Sequence, residues 1–312
     1  MLNRKDAVNE MKKKRIGVLL GGLSAEREIS LKTGAAVVNA LHKGGYNAVA
    51  VDVDRGLAAK LAAQGIDVAF IALHGRYGED GCVQGLLEVM GIPYTGSGVL
   101  ASAVCMDKIA AKQVMLHHKI STPKFCAAGD GAKPVKLKFP PLPFVVKPAS
   151  QGSALGVSIV RARSAVDAAL SSARQFGGAA LIEEFIKGRE LTVSILNGDA
   201  LPIIEILPNE GFYDYTAKYT KGAARFVVPA ALGRACNKRV ITEALGAYTA
   251  LGCAGAARVD VIVDADNRPY VLEVNTVPGL TELSLFPRAA ASAGLDYPAL
   301  VEEMLLGAGL NK

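Results

Sequence analysis

Two alternating runs joined by a polar turn constrain this chain more than any other stretch. Arg258-Val-Asp-Val-Ile-Val-Asp264 alternates polar and apolar residues. A turn cluster follows through Asp266, Asn267 and Pro269, and then a second alternating run, Tyr270-Val-Leu-Glu-Val-Asn275. Period-two apolarity on both sides of a turn predicts an antiparallel hairpin. Successive side chains point to opposite faces, so Arg258, Asp260 and Ile262 share one face, as do Val271, Glu273 and Asn275. A register symmetric about the turn places Asp260 opposite Glu273 and Arg258 opposite Asn275. Like charges directly opposed on a sheet are destabilising, so two carboxylates beside an amide call for a cation. An all-oxygen set of this kind suits Mg²⁺, which takes one or two carboxylates together with substrate phosphates. The same pattern also fits the solvent face of an edge hairpin. A glycine-rich loop and two lysines upstream favour a metal–phosphate site.

The loop is Pro148-Ala-Ser-Gln-Gly-Ser-Ala-Leu-Gly156, which leaves the strand Phe144-Val-Val-Lys147 and enters a strand at 157–160. Glycines let backbone N–H groups approach phosphate oxygens, and Lys147 would present an ammonium from a rigid strand. The flanking elements are not those of a P-loop, and Gly-Lys-[Ser/Thr] is missing. After a helix at 164–175, a strand at 180–183 runs into Glu184-Phe-Ile-Lys-Gly-Arg-Glu190. There Phe185 and Ile186, flanked by acids, could hold a purine and its ribose. The aperiodic stretch 207–222 carries four aromatics and Lys218, the character of an ordered lid. A helix at 234–251 leads back to the hairpin, and helices are expected at 289–293 and 297–306.

Earlier in the chain, strands at 15–20, 47–53 and 67–73 alternate with helices. This predicts a doubly wound parallel sheet whose ligands bind beyond the carboxyl ends of the strands. Gly21–Glu26, with Ser24 as the expected N-cap, and the loop His74–Asp80 lie at two such ends and would form a binding rim. The formal charge is +6, but residues 1–15 hold six Lys/Arg against two acids, so the remainder is near neutral. That basic start reads as a frayed, solvated tail and not as a nucleic-acid module. Gly21-Gly22 and the charges after it spoil any likeness to a signal peptide. No run approaches the ~18 apolar residues of a membrane span. Five cysteines without a Cys-x-x-Cys, and four histidines without ligand spacing, suggest reduced thiols in a cytoplasmic protein.

Lys108, Lys147, the Gly152–Gly156 loop, Glu183, Glu190 and Asp260…Glu273-Val-Asn275 together resemble the ATP-grasp fold. Within it, the chain resembles the D-alanine–D-alanine ligase family. The stretches that carry the likeness are GGLSAEREIS (21–30), ALHGRYGEDG (72–81), PYTGSGVLASAVCMDK (93–108), VVKPASQGS (145–153), FYDYTAKY (212–219) and RVDVIVD…LEVNTVPGLTELSL (258–285). The resemblance implies an α/β, three-domain architecture. A Rossmann-like N-terminal domain would span 1–106, with 1–14 a tail and Met11 an alternative start. Central and C-terminal ATP-grasp subdomains at 107–186 and 187–312 would clasp ATP. ATP would phosphorylate one D-alanine, and the amine of a second would displace phosphate, giving D-alanyl-D-alanine for peptidoglycan.

The resemblance also implies roles. Glu26, with Ser153 and Tyr219, would hold the first ammonium, and His74 would line the same substrate site. Lys108, Lys147 and Lys218 would hold phosphates, while Glu183, Phe185, Ile186 and Glu190 would contact adenine and ribose. Asp260, Glu273 and Asn275 would ligate two Mg²⁺, with Mn²⁺ a substitute. Arg258 and Gly279 would stabilise the oxyanion, and Ser284 with Leu285 would bind the second carboxylate. The expected partners are small molecules and a second copy of the chain. Ala154, Thr216 and Val277 depart from the family pattern, and the connector at 127–143 looks short, without removing a charge that the chemistry requires. A D-alanine–D-lactate ligase is the nearest rival, disfavoured by Lys218-Tyr219. Another carboxylate–amine ligase is disfavoured by Glu26 and Ser284. A non-catalytic ATP sensor would be expected to have lost Arg258 or a metal ligand.

Overall fold

The computed structural model describes residues 3–129, 139–152, 155–209, 222–281 and 284–312. The first unit runs α1 (Arg4–Lys12), β1 (Arg15–Gly21), α2 (Arg27–Lys43), β2 (Asn47–Val53), α3 (Leu57–Ala63) and β3 (Val68–Ile71). Its strands pair in parallel in the order β2-β1-β3, with Ile16 opposite both Ala48 and Val68. All of β1 after Arg15 is buried, as expected of a parallel strand covered on both faces. The expected doubly wound unit is therefore present. Two further helices, α4 (Cys82–Met90) and α5 (Val99–Met106), complete this region.

The basic start is not a frayed tail. Asn3 caps α1 by accepting from the Asp6 N–H, and Val8 and Met11, one turn apart, pack on the core beside the first sheet. Arg4 reaches Glu302 at 3.4 Å and Glu303 at 2.5 Å, near the other end of the chain. Glu302 in turn accepts from the Tyr46 hydroxyl at 2.8 Å. The two apolar residues find a partner surface that is remote in sequence, and so no local pattern discloses it.

The second unit comprises α6 (Lys108–His117), β4 (Phe125–Ala128), β5 (Phe144–Pro148), β6 (Ser158–Val160), α7 (Val166–Arg174) and β7 (Ala180–Glu184). Its four strands are antiparallel, in the order β4-β7-β5-β6. The third contains β8 (Gly188–Leu196), β9 (Asp199–Ala200), β10 (Ile204–Pro208), β11 (Ala224–Val227), α8 (Arg234–Ala250), β12 (Ala256–Asp264) and β13 (Pro269–Asn275). Its sheet has the order β11-β10-β8-β12-β13, with β9 on β8. Val240, Ala244 and Ala247 of α8 pack beneath Val193, Ile195, Val259 and Val261. The last helices, α9 (Leu285–Ser292) and α10 (Tyr297–Leu306), return to the first sheet, where Leu300, Val301 and Leu305 join Ile16, Val18 and Phe70. Helix α9 begins four residues before the expected 289, because Pro287 falls in its first turn, where a missing N–H is harmless. Among the described residues no helix is long and apolar enough to cross a membrane.

Candidate active site

The four- and six-stranded sheets face each other across a cleft of about 360 Å³, a volume suited to a small-molecule ligand. Lys108, Lys147, Glu183, Phe185, Ile186, Glu190, Asp260 and Glu273 all line it. Eight residues predicted from scattered stretches thus converge on one space.

The hairpin forms in the expected register at its open end, with Arg258 opposite Asn275 and Asp260 opposite Glu273. The buried face of β12 is Val259, Val261 and Val263, at 0–1% exposure. Its other face, which includes Asp260 and Ile262, looks into the cleft and not into bulk solvent. A bulge beyond Asp260 pairs Val261 with Val271, leaving Leu272 as the extra residue. Leu272 and Glu273 consequently both line the cleft, although they are sequence neighbours. Asp260 is held by three donors: Thr192 Oγ1 at 2.7 Å, and Arg258 Nε and Nη2 at 3.0 Å each. Asn275 Oδ1 accepts from the Val277 N–H at 2.9 Å.

Cations enter the cleft from the second unit. Asp107 caps α6 by accepting from the Ile109 and Ala110 N–H groups, which makes Lys108 the first helical residue. Lys108 Nζ donates to the Gln151 carbonyl at 2.7 Å and stands 3.4 Å from Glu273 Oε2. Lys147 on β5 is buried, with Nζ 2.6 Å from Glu183 Oε1. Burial opposes the Lys147 ammonium, but the charges of Glu183 and Glu273 outweigh it and hold its pKa above the ordinary value. Burial likewise opposes ionisation of Glu183, and Lys112 and Lys147 overcome it, holding the carboxyl below its usual range. Gly188 joins the two sheets where a Cβ would collide with the Val263 carbonyl oxygen, so the cleft floor requires glycine there.

A second cluster sits at the carboxyl end of the first sheet. Ser24 is not the N-cap of α2, whose first helical residue is Arg27. Its hydroxyl donates instead to the His74 carbonyl at 2.6 Å and accepts from the Glu26 N–H at 3.1 Å. This bond ties the two expected rim loops together. A Cβ on Gly75 would lie 2.7 Å from Glu26 Oε2, so the carboxylate rests on this glycine. His74 is buried, with Nε2 3.2 Å from Thr33 Oγ1 and Nδ1 3.5 Å from Glu79. The segment after Asn275 runs past these loops. Thr276, Val277, Pro278 and Leu280 face Thr33, Ile71 and Ala72 across a void of about 10 Å³. A Cβ on Gly279 would lie 2.9 Å from Ser284 Oγ, which also contacts Thr281 Oγ1 at 2.8 Å, and Leu285 opens α9. Ser153, Lys218 and Tyr219 lie outside the described residues.

Three charged residues at the cleft were not anticipated. Arg189 pairs with Glu205 through two bonds of 2.6 Å, and both line the cleft. Lys112 lies behind Lys147, fully buried, with Nζ 2.9 Å from Glu183 Oε2. Its spacing of four from Lys108 puts both on one side of α6, a signal that could have found it.

Paired lysines and opposed carboxylates in a cleft between two antiparallel sheets, beside a parallel-sheet domain, define an ATP-grasp ligase. The solved structures agree: a D-alanine–D-alanine ligase from Bacillus anthracis complexed with ATP superposes with a TM-score of 0.83 at 37% identity, covering 94% of this chain and 97% of that one. A second structure of that enzyme gives 0.85 at 40% identity over the same shares. The chain belongs to the D-alanine–D-alanine ligase family. The family model for the D-ala D-ala ligase C-terminus matches residues 132–306, and the N-terminus model matches 56–97. Among curated relatives, the D-alanine–D-alanine ligase of Geotalea uraniireducens is 52% identical over 306 residues, 97% of this chain and 98% of that protein. That of Syntrophotalea carbinolica is 49% identical over 303 residues, 97% and 99%.

Proposed function

We propose that this protein joins two D-alanines into D-alanyl-D-alanine at the expense of ATP, through a D-alanyl phosphate. The observation that carries this reading is the convergence of Lys108, Lys147, Asp260 and Glu273 on one cleft. A carboxylate oxygen of the first D-alanine attacks the γ-phosphorus and ADP leaves. The amine of the second D-alanine then attacks the acyl carbon, phosphate departs, and the nitrogen loses a proton. Such phosphoryl transfer asks the protein for positioning and charge neutralisation more than for covalent chemistry.

The cleft suits the nucleotide. Glu183 lines the cleft with Oε1 2.6 Å from Lys147 Nζ and Oε2 2.9 Å from Lys112 Nζ, a carboxylate held in place to face the adenine. Phe185 and Ile186 offer the apolar walls and Glu190 the ribose acceptor, while Lys108 and Lys147, with Lys218, hold phosphates. Asp260, Glu273 and Asn275 are hard oxygen donors on adjacent positions of one hairpin, a donor set that fits two Mg²⁺ and also accepts Mn²⁺. When bound, these ions neutralise charge on the transferred phosphoryl group. Glu26, with His74, Ser153 and Tyr219, binds the first D-alanine. Arg258 and the Gly279 backbone stabilise the oxyanion, and Ser284 with Leu285 seats the second carboxylate. The working unit is a homodimer in the cytoplasm.

The test is phosphate release from ATP and Mg²⁺ with D-alanine, L-alanine, or D-alanine plus D-lactate, with products identified by mass. Release with D-alanine alone and a dipeptide product supports the reading. A depsipeptide moves the assignment to the D-lactate ligases, and ATP binding without turnover leaves a sensor.

A further inference from the structure

Lys112 is wholly buried on α6 and is not among the residues that line the cleft. Its ammonium donates to Thr122 Oγ1 at 2.5 Å, and that hydroxyl donates to the Val271 carbonyl at 2.8 Å. Val271 lies two residues from Glu273 on β13, and its N–H donates to the Ser121 carbonyl at 2.8 Å. On the other side Lys112 Nζ is 2.9 Å from Glu183 Oε2, while Lys147 Nζ is 2.6 Å from Glu183 Oε1. One carboxylate is therefore shared by two ammonium groups. Only Glu183 and Lys147 of the three reach the cleft, and a chain of contacts runs from Lys147 back to the strand of the paired carboxylates.

We propose that Lys112 is a positioning residue for the nucleotide, supplying the second positive charge that balances Glu183 and so leaves the charge of Lys147 available to phosphate. Two ammonium groups and one carboxylate sum to +1, presented to the cleft by Lys147. Without Lys112 the buried carboxylate has Lys147 as its counter-charge, and the pair sums to zero. A buried ion pair adds little stability compared with apolar residues of equal volume, so folding alone gives a weak reason for a lysine at a fully enclosed position. The Thr122 bond sets where the ammonium sits, and through it where Glu183 and Lys147 sit relative to β13.

This inference rests on the ATP reading, and binding of the Mg²⁺ complex of a non-hydrolysable ATP analogue separates the two. Four proteins are compared: the unmodified chain, Lys112→Met, Glu183→Gln and the double variant, each with its Kd for the analogue and, where active, its KM for D-alanine. Lys112→Met is expected to weaken the analogue by at least about tenfold, or ~1.4 kcal/mol, with the D-alanine KM within about twofold. In the Glu183→Gln background the same substitution is expected to change Kd by less than about twofold, because its target charge is gone. That comparison stands even if Lys112→Met fails to fold, since the double variant buries one lysine fewer and no unbalanced carboxylate. An unchanged Kd in Lys112→Met overturns the inference, as does a loss that persists in the double variant or a parallel rise in the D-alanine KM. Failure of the unmodified protein to bind the analogue overturns the ATP reading and this inference with it.

Discussion

Replacing Asp260 by asparagine separates the charge of the hairpin site from its shape. The side chain of Asp260 is 15% exposed and that of its partner Arg258 16%. Three hydrogen bonds hold the carboxylate, one of 2.7 Å from Thr192 and two of 3.0 Å from Arg258. Asparagine keeps one acceptor for them but turns an amide donor toward the guanidinium. Hydrogen bonds to charged groups contribute about 1.5–3 kcal/mol, so the variant should lose about 1–3 kcal/mol of stability. From an ordinary starting stability of roughly 5–15 kcal/mol, that leaves it overwhelmingly folded at 25 °C. Turnover should fall much further, by at least ~10²-fold, the scale of losing one group that stabilises transition-state charge. ADP formation at saturating Mg²⁺, ATP and D-alanine, read beside thermal unfolding, distinguishes the two effects. Turnover within about threefold of the unmodified protein would refute the assignment of Asp260 to charge neutralisation.

Three other outcomes follow from particular contacts. Deleting residues 1–12 removes the packing of Val8 and Met11 and the Arg4 pairs. It should cost roughly 1–3 kcal/mol and leave turnover at 25 °C within about twofold, and an unchanged Tm would show that α1 contributes nothing. Chelating divalent cations should weaken binding of an ATP analogue at least ~10-fold, and equal affinity with and without chelator would remove the hairpin oxygens from metal binding. Burial pushes the Lys312 ammonium down to about 8, so between pH 8 and the unfolded value near ~10.4 the unfolded chain holds more protons. The stability of the unmodified protein relative to Lys312→Met should therefore rise across that interval, measured as urea midpoints. A reversed slope would mean that the Tyr94, Gly96 and Gly307 carbonyls bonded to Nζ outweigh burial.

What could be read from the sequence was local periodicity and its chemistry. The β12–β13 register at Asp260 and Glu273 follows from alternation and a turn, because both are properties of neighbours in the chain. The bulge at Leu272 does not follow, since an extra residue in one strand leaves the composition of the run unchanged. Ser24 has the residue type of an N-cap, but its hydroxyl is taken by the His74 carbonyl, 50 residues away. Helix α1 and Lys112 were obscured for one common reason. Each is enclosed only when a distant segment covers it, α10 in the first case and β7 with Thr122 in the second.

The cleft assembles its charges in pairs before any ligand is considered. Lys147 of β5 meets Glu183 of β7, Lys108 of α6 meets Glu273 of β13, and Arg189 of β8 meets Glu205 of β10. Arg258 and Asp260 form a fourth pair within β12. Three of these pairs join separate elements, so each charge is aimed by two pieces of backbone and little reorganisation remains for the reaction itself. Pairing also limits the self-repulsion of these four cations, and the lining as a whole holds more acids than cations, because Glu184 and Glu190 line it as well. A polyphosphate then requires positive charge beyond the pairs. Among the described residues Lys112 supplies one such charge, through Glu183, and divalent cations on the Asp260–Glu273–Asn275 oxygens would supply more. Nucleotide and metal should accordingly bind as mutually dependent ligands, because each provides the charge that the preassembled pairs leave unmatched for the other.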